Sequence, residues 1–237
     1  GYRAEDGVLP LIVSIHGGPH GAYGERFDFQ FQLWANQGYA VLYTNPRASL
    51  GYGEEFLWAT WGGGWGDLDA QDVLAGVDAV TERLQIDSRR IGVSGYSYGG
   101  FLANMLVART DRFAAAISGA GISNWISDYG TADIPRTKES EFYGPPWVER
   151  SAELLWEASP IKHAGGASTP TLFLHGERDW RVPIEQAEQM YTALRKQRVP
   201  ARLVRYPASS HGQWTPSDRA HFFLEGLDWW RRWLEPE

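Results

Sequence analysis

The chain has 237 residues, of which 29 are acidic and 22 basic, and the resulting net charge of −7 argues against nucleic acid or an anionic membrane as a partner. Its composition, 43% hydrophobic and 22% charged, is that of a globular protein and excludes a disordered or fibrous chain. The sequence has no cysteine and no apolar run of about 18 residues, which excludes a disulfide scaffold, a thiolate nucleophile, a cysteine-based zinc site and a transmembrane helix.

Strand-like and helix-like segments alternate along the chain. Short apolar segments that end at Gly, Pro, Asn or Ser predict six strands: Leu11–Ile15, Ala40–Tyr43, Ile91–Ser94, Ala114–Ser118, Thr171–Leu174 and Arg202–Tyr206. Longer periodic segments predict five helices: Phe27–Gln37, Asp67–Leu84, Tyr98–Arg109, Ile184–Gln197 and Ser217–Leu234. This alternation predicts a single α/β domain over residues 1–237, with a mostly parallel sheet and helices on both faces.

One stretch, residues 121–166, breaks the alternation. It is aromatic and charged, and four prolines punctuate it. We expect a short helical insertion that caps a site at the carboxyl ends of the strands, where open α/β sheets bind ligands. We also expect the tryptophans of loops, Trp180 and Trp214 among them, to line such a site and to contact substrate.

The strongest local motif is the G-x-S-x-G pentapeptide Gly95–Gly99. A predicted strand precedes it and a predicted helix follows it, which is the context of a nucleophile elbow. The glycines leave room for a tight turn, and the helix N-terminus faces the negative charge that develops during reaction. The motif therefore predicts Ser97 as a nucleophile, against the alternative of a glycine-rich turn with an idle serine.

A serine nucleophile needs a base and an orienting acid, in the chain order Ser, acid, His for this elbow. His211 lies in a loop directly after the last predicted strand, whereas His221 lies in an amphipathic helix, so we expect His211 to be the base. Asp179 follows the preceding strand and is the expected acid, with Glu177 as the alternative. A carboxylate there would accept the Nδ1 proton of the histidine and fix its tautomer.

Two backbone N–H groups are expected to form an oxyanion hole. One belongs to Tyr98, the residue after the nucleophile. The other belongs to the glycine loop after the first predicted strand, which resembles an HGGG-type oxyanion loop. We assign Gly18 as this donor, with Gly17 or a plain glycine turn as alternatives, and we expect His16 to brace the loop through its ring nitrogens.

Other kinds of site fit the sequence less well. The glycine run 62–64 lacks the Lys-Ser/Thr pair of a phosphate loop, and no set of His, Asp or Glu has the spacing of a zinc site. We therefore expect no cofactor and no metal. Asp67, Asp69 and Asp72 are interpreted as a solvated first helical turn and not as a calcium site.

Five motifs follow one another in the order HGGP, NPRASLGYG, GYSYGGF, HGERDWRVP and SSHG. On these motifs the chain resembles the catalytic domain of the prolyl oligopeptidase family, in its acylaminoacyl-peptidase and dipeptidyl-peptidase branch. The resemblance implies an α/β-hydrolase fold and a serine peptidase or esterase with Ser97, Asp179 and His211 as its triad. It also implies that Arg181 binds a substrate carbonyl near the scissile bond, with a salt-bridged arginine as the alternative.

The chain departs from that family in two respects. The β-propeller that usually precedes this domain, and that restricts entry to short peptides, is not in this chain, which begins at Gly1 and is expected to be a processed form or a fragment. Ala48 stands where the family commonly has a glycine, in a loop that we expect to pack beneath the site.

We therefore expect a serine peptidase of acylaminoacyl or dipeptidyl type that acts on short or N-blocked peptides in the cytoplasm, with a homo-oligomer left open. A stand-alone carboxylesterase acting on short or aromatic acyl esters is the alternative, because the same triad forms an acyl-enzyme from either substrate. A third interpretation is a non-catalytic binding module on a hydrolase scaffold, which the complete triad argues against.

Overall fold

The structure, a computed structural model, describes residues 7–235, so the expectation about the beginning of the chain concerns residues outside this range. One sheet contains the strands β1 Leu9–Ile15, β2 Ala40–Tyr43, β3 Ile86–Tyr96, β4 Ala115–Gly119, β5 Thr171–Gly176 and β6 Ala201–Tyr206. Their order is β2-β1-β3-β4-β5-β6, and all five pairings are parallel. The predicted α/β class with a parallel sheet is confirmed.

Ten α-helices connect or follow these strands among residues 7–235. Their bounds are α1 Phe29–Asn36, α2 Glu54–Leu57, α3 Leu68–Arg83, α4 Tyr98–Arg109, α5 Trp125–Thr131, α6 Pro135–Glu141, α7 Glu149–Glu157, α8 Pro160–His163, α9 Glu185–Lys196 and α10 Pro216–Leu234. A 3₁₀ turn, Ala164–Gly166, follows α8. In this part of the chain no helix is both long and apolar enough to cross a membrane.

The sheet is covered on both faces, because its strands are apolar on both sides. Along β5, Phe173 belongs to the cluster formed with α3, α4 and α9, whereas its neighbours Leu172 and Leu174 belong to the cluster formed with α1 and α10. This alternation is the period of a β-strand. The core on the α10 side is closed by Trp230, which is fully buried.

The site is positioned by a reversal of strand order. The chain moves from β1 outward to β2 and then returns past β1 to β3, so that β1 lies between them. At the carboxyl ends of β1 and β3, Ile15 pairs with Gly95. The loops that leave these two strands therefore meet, at the kind of switch point where parallel sheets bind ligands.

The helices α5 to α8 lie between β4 and β5, in the stretch predicted as a helical insertion. The side chain of Asn124 caps α5 by accepting the N–H groups of Ile126 and Ser127. An ion pair between Asp128 of α5 and Lys138 of α6 joins these two helices, with 2.6 Å between its nitrogen and oxygen. Both side chains are buried, so this pair fixes the arrangement of the helices next to the site.

Candidate active site

Ser97 is held in a sharp turn between β3 and α4. Its backbone has φ 61° and ψ −121°, a left-handed conformation that costs a non-glycine residue about 1–3 kcal/mol. The glycines around it are required by close approach of the backbone. A Cβ at Gly95 would lie 2.2 Å from the carbonyl carbon of Gly99, and one at Gly99 would lie 2.2 Å from the carbonyl oxygen of Ile15. The turn thus lifts the serine hydroxyl above the sheet.

The structure brings three predicted side chains into one hydrogen-bonded chain. The Nε2 atom of His211 lies 2.9 Å from the Oγ of Ser97, and its Nδ1 lies 2.7 Å from Oδ2 of Asp179. The other oxygen of Asp179 accepts the backbone N–H groups of Arg181 at 3.0 Å and Val182 at 2.9 Å. The carboxylate is therefore fixed, and it can hold the proton on Nδ1 so that Nε2 faces the hydroxyl.

The alternative acid and base lie elsewhere. Glu177 forms an ion pair with Arg205, with 2.7 Å between the atoms. His221 is half-exposed and lies 3.3 Å from Glu225 on α10. Neither side chain is hydrogen-bonded to the serine or histidine of the site.

The two residues predicted to supply the N–H donors of an oxyanion hole, Tyr98 and Gly18, both line the cavity beside Ser97. Tyr98 is the first residue of α4, so its N–H has no acceptor within the helix. Gly18 lines the same cavity as Tyr98 and Ser97. Its φ is 139°, and a Cβ there would lie 2.6 Å from the backbone nitrogen of His20, so glycine is required at this position. The backbone of Gly17 lies against the elbow, since a Cβ there would come within 3.3 Å of the carbonyl oxygen of Tyr96.

The glycine loop is braced from below, as expected for His16. The Nδ1 of its ring lies 2.8 Å from the carbonyl oxygen of Gly17, and its Nε2 lies 2.9 Å from the Oγ of Ser49. Burial lowers the pKa of His16. Next to Ser49, Ala48 is buried with φ 81°, a conformation that favours glycine, and its carbonyl oxygen lies 2.9 Å from Nδ1 of His20. The loop predicted to pack beneath the site does so.

A cavity of about 380 Å³ opens beside the nucleophile, and we call it the Ser97 cavity. Aromatic and charged side chains share its inner wall: Trp65, Tyr98, Trp125, Asp128, Lys138 and Glu141. The tryptophans pack edge to face, with 5.1 Å between the ring centroids of Trp65 and Trp125. The cavity can therefore bury an apolar group while offering charged contacts.

Two carboxyl groups lie in this wall, the fully buried Asp128 and the partly buried Glu141. Burial raises the pKa of Asp128 more than the attraction of Lys138 lowers it. Burial also raises the pKa of Glu141 to about 7. Behind the wall, Asp69 accepts a hydrogen bond of 2.6 Å from the hydroxyl of Tyr98 and is fully buried. The prediction that the acids of this helical turn are solvated is therefore wrong for Asp69, because α3 presses its first turn against α4.

The three residues predicted to contact substrate lie in different surroundings. Arg181 lines the Ser97 cavity, and its guanidinium is paired with Asp133, with 2.7 Å between Nε and Oδ1. Trp180 is 73% exposed and is not among the residues that line this cavity. Trp214 lines a separate groove of about 260 Å³ on the other side of His211. The Ser97 cavity is instead lined by Trp65, which precedes α3, and by Trp125, the first residue of α5.

Sequence reasoning did not single out Asp128, Lys138 or Glu141. The available signal was weak: three charged residues in an aromatic stretch, two of them three positions apart on one short helix. Across residues 7–235, no group of three or more His, Asp or Glu side chains is arranged to hold a metal ion.

Known proteins share this fold and much of this sequence. The chain is 44% identical over 233 residues to the uncharacterized peptidase YuxL of Bacillus subtilis, an alignment that covers 89% of this chain and 34% of that protein. It is 36% identical to the acylamino-acid-releasing enzyme of Arabidopsis thaliana over 95% of this chain and 30% of that enzyme. The chain thus spans about a third of the length of these relatives.

Solved structures agree with these relatives. The acylaminoacyl peptidase of Pyrococcus horikoshii superposes with a TM-score of 0.93 at 30% identity, over all of this chain and 39% of that one. An acylaminoacyl peptidase in complex with Z-Gly-Gly-Phe-chloromethyl ketone gives a TM-score of 0.90 at 32% identity, over 98% of this chain and 38% of that one. The α/β-hydrolase fold implied by the motifs is thus confirmed. Residues 25–237 match the model of the prolyl oligopeptidase family, and the chain belongs to that family.

Proposed function

We propose that this chain is the catalytic domain of a serine peptidase of acylaminoacyl or dipeptidyl type, which cleaves short or N-blocked peptides through an acyl-enzyme. The observation that carries the proposal is the position of His211, which bridges the hydroxyl of Ser97 and the carboxylate of Asp179 at the mouth of a cavity. The names of the relatives and of the neighbouring structures support a peptide as the substrate.

In the first step, the Oγ of Ser97 attacks the carbonyl carbon of the scissile amide while His211 Nε2 takes the hydroxyl proton. The carboxylate of Asp179 accepts the hydrogen bond from Nδ1 and stabilises the imidazolium that forms. Negative charge develops on the carbonyl oxygen. The N–H groups of Tyr98 and Gly18 are the donors that we propose for it, and each such donor is worth about 3–4 kcal/mol in the transition state.

In the second step, the tetrahedral intermediate collapses, and the imidazolium of His211 gives its proton to the departing amine. Water then replaces the amine. The same histidine removes a proton from this water as it attacks the acyl-enzyme, and it returns a proton to Ser97 as the acid product leaves. No group beyond the side chains and N–H donors described here is needed for proton balance.

Ester hydrolysis remains the second candidate, and the pairing of Arg181 with Asp133 favours it. An arginine held by a carboxylate need not bind a second substrate carbonyl, which an acyl ester lacks. We propose peptides as the main substrates, in the cytoplasm, with no nucleic acid or membrane partner. The net charge of −7 supports the absence of a nucleic acid partner and of a membrane partner.

The test is steady-state kinetics of wild type and Ser97→Ala on acetyl-amino-acid p-nitroanilides and on p-nitrophenyl acyl esters. We expect wild type to hydrolyse both, and Ser97→Ala to lose roughly 10⁴–10⁶ in kcat on each. Ser94→Ala, which alters a serine earlier in β3, is the matched control and should stay active. Turnover of esters alone would favour the esterase, and full activity in Ser97→Ala would reject the mechanism.

A further inference from the structure

The charged side chains that line the Ser97 cavity differ in whether they have an ion-pair partner. The ammonium of Lys138 is neutralised by Asp128 at 2.6 Å, and the guanidinium of Arg181 by Asp133 at 2.7 Å. The carboxylate of Glu141 has no hydrogen-bond or ion-pair partner among residues 7–235. When it is ionised, Glu141 is therefore a carboxylate of this wall without a direct counter-ion, and only the more distant charge of Lys138 attracts it.

The position of Glu141 keeps this carboxyl group at the cavity. It is the last residue of α6, and its backbone oxygen accepts the N–H of Gly62 at 2.9 Å, which ties the end of the helix to a neighbouring loop. Phe142, the next residue, is fully buried. Burial raises the pKa of Glu141 to about 7, which reflects the cost of keeping a carboxylate away from water, and the attraction of Lys138 offsets this cost only in part. A cation bound in the cavity would remove that cost.

The rest of the cavity fits the apolar part of such a ligand. Trp65, Trp125 and Tyr98 line it together with the nucleophile and the carboxyl group. A side chain with a methylene stem and a cationic end can lay its stem on these rings, and the rings also attract cations through their faces. The same cavity holds Ser97 and Gly18, so this side chain would belong to the residue whose carbonyl is attacked.

We propose that Glu141 determines specificity by binding the cationic side chain of the residue that forms the acyl-enzyme, so that this site prefers peptides cleaved after arginine or lysine. The inference rests on the proposed function, because it uses Ser97 as the nucleophile. An anionic side chain is disfavoured, since the one buried ammonium in the wall is already paired with Asp128.

The experiment compares cationic substrates with neutral ones of similar shape at pH 8, above the pKa of about 7 of Glu141. All substrates are p-nitroanilides acetylated on the α-nitrogen only. The arginine substrate is paired with the citrulline substrate, its neutral isostere, and the lysine substrate with the norleucine substrate. We expect kcat/KM of wild type to be at least about 10-fold higher for each cationic substrate. Glu141→Gln should bring both ratios to about one and change the rates on the neutral substrates by less than about 3-fold.

Glu153→Gln is the matched control, because it removes the same charge from an exposed position of α7, and it should keep the ratios of wild type. Three outcomes would overturn the inference while leaving the proposed function intact. They are cationic-to-neutral ratios near one in wild type, ratios that Glu141→Gln does not change, and a rate of wild type on acetyl-glutamate p-nitroanilide that exceeds its rates on the cationic substrates. Absence of Ser97-dependent hydrolysis on every substrate, p-nitrophenyl acetate included, would instead overturn the proposed function and the inference with it.

Discussion

The guanidinium of Arg181 lies at the rim of the Ser97 cavity, where two roles can be separated. It pairs with Asp133 through a half-exposed contact, which contributes about 0–1 kcal/mol to stability. It also lies within the cavity that would hold the acyl part of a peptide. Binding a substrate carbonyl by a charge-assisted hydrogen bond would contribute about 1.5–3 kcal/mol.

We expect Arg181→Ala to reduce kcat/KM for acetyl-amino-acid anilides by roughly 10- to 150-fold, and for p-nitrophenyl butyrate by less than about 3-fold. The ester has no second carbonyl that could use the contact. Asp133→Asn breaks the ion pair but keeps the guanidinium, and it should retain the anilide activity within about 3-fold. Equal losses on ester and anilide would show that Arg181 only braces the loop.

At the scale of single residues, the triad could be predicted because each member follows a predicted strand at the same edge of the sheet. Both His211 and His221 follow the acid in the chain, and the position of His211 in the loop after the last predicted strand separated it from His221, which lies in a helix. Tertiary packing decided the rest. Asp69 is polar and near a helix start, which is typical of a solvated turn. It is nevertheless buried, and its carboxyl group accepts a hydrogen bond from the hydroxyl of Tyr98. Nothing local to Trp180 distinguishes it from the tryptophans that do line the cavity.

At the scale of elements, the contact between α3 and α4 makes stability depend on pH. The pKa of Asp69 is raised by burial to about 7, against about 3.9 for an unfolded aspartate. From about pH 4 to 7 the folded chain therefore holds a proton that the unfolded chain has released. The contribution of Asp69 to the free energy of unfolding therefore falls as the pH rises from about 4 to about 7.

We expect Asp69→Asn to remove this dependence. The free energy of unfolding of the variant, measured relative to wild type, should rise by about 2 kcal/mol between pH 5 and pH 7. Urea unfolding at both pH values measures it. Asp67→Asn is the matched control, because the side chain of Asp67 is 54% exposed and lies beside the same turn. A difference that does not change with pH would contradict the role assigned to Asp69.

The bounds of a helix or strand could be predicted where the local sequence pattern begins and ends at the same residues as the packed element. The helix α4 has the predicted bounds because the elbow starts it at Tyr98 and no apolar period continues beyond Arg109. The strand β3 begins at Ile86, earlier than predicted. Ile86 pairs with Leu9, but the polar residues 87–90 separate it from the apolar segment that starts at Ile91, and the register is irregular there. The helices α5 to α8 gave no clear period, since prolines and long-range contacts set their ends.

At the scale of the molecule, the six-stranded sheet brings together loops that are far apart in the chain. Ser97, Asp179 and His211 follow β3, β5 and β6, and Gly18 follows β1. We propose that this meeting point activates one serine hydroxyl, that of Ser97. The chain spans about a third of the length of its relatives, and peptide turnover by those relatives can depend on their other parts. The reactivity of the Ser97 hydroxyl is therefore the more direct test.

A fluorophosphonate probe reacts with a serine only where a base removes the hydroxyl proton and N–H donors stabilise the phosphonyl oxygen. We therefore predict a single adduct per chain, located by peptide mass spectrometry on Ser97. Its rate of formation should fall at least about 100-fold in His211→Ala and stay near that of wild type in His221→Ala. An adduct on another residue, or equal rates in the two histidine variants, would contradict the account.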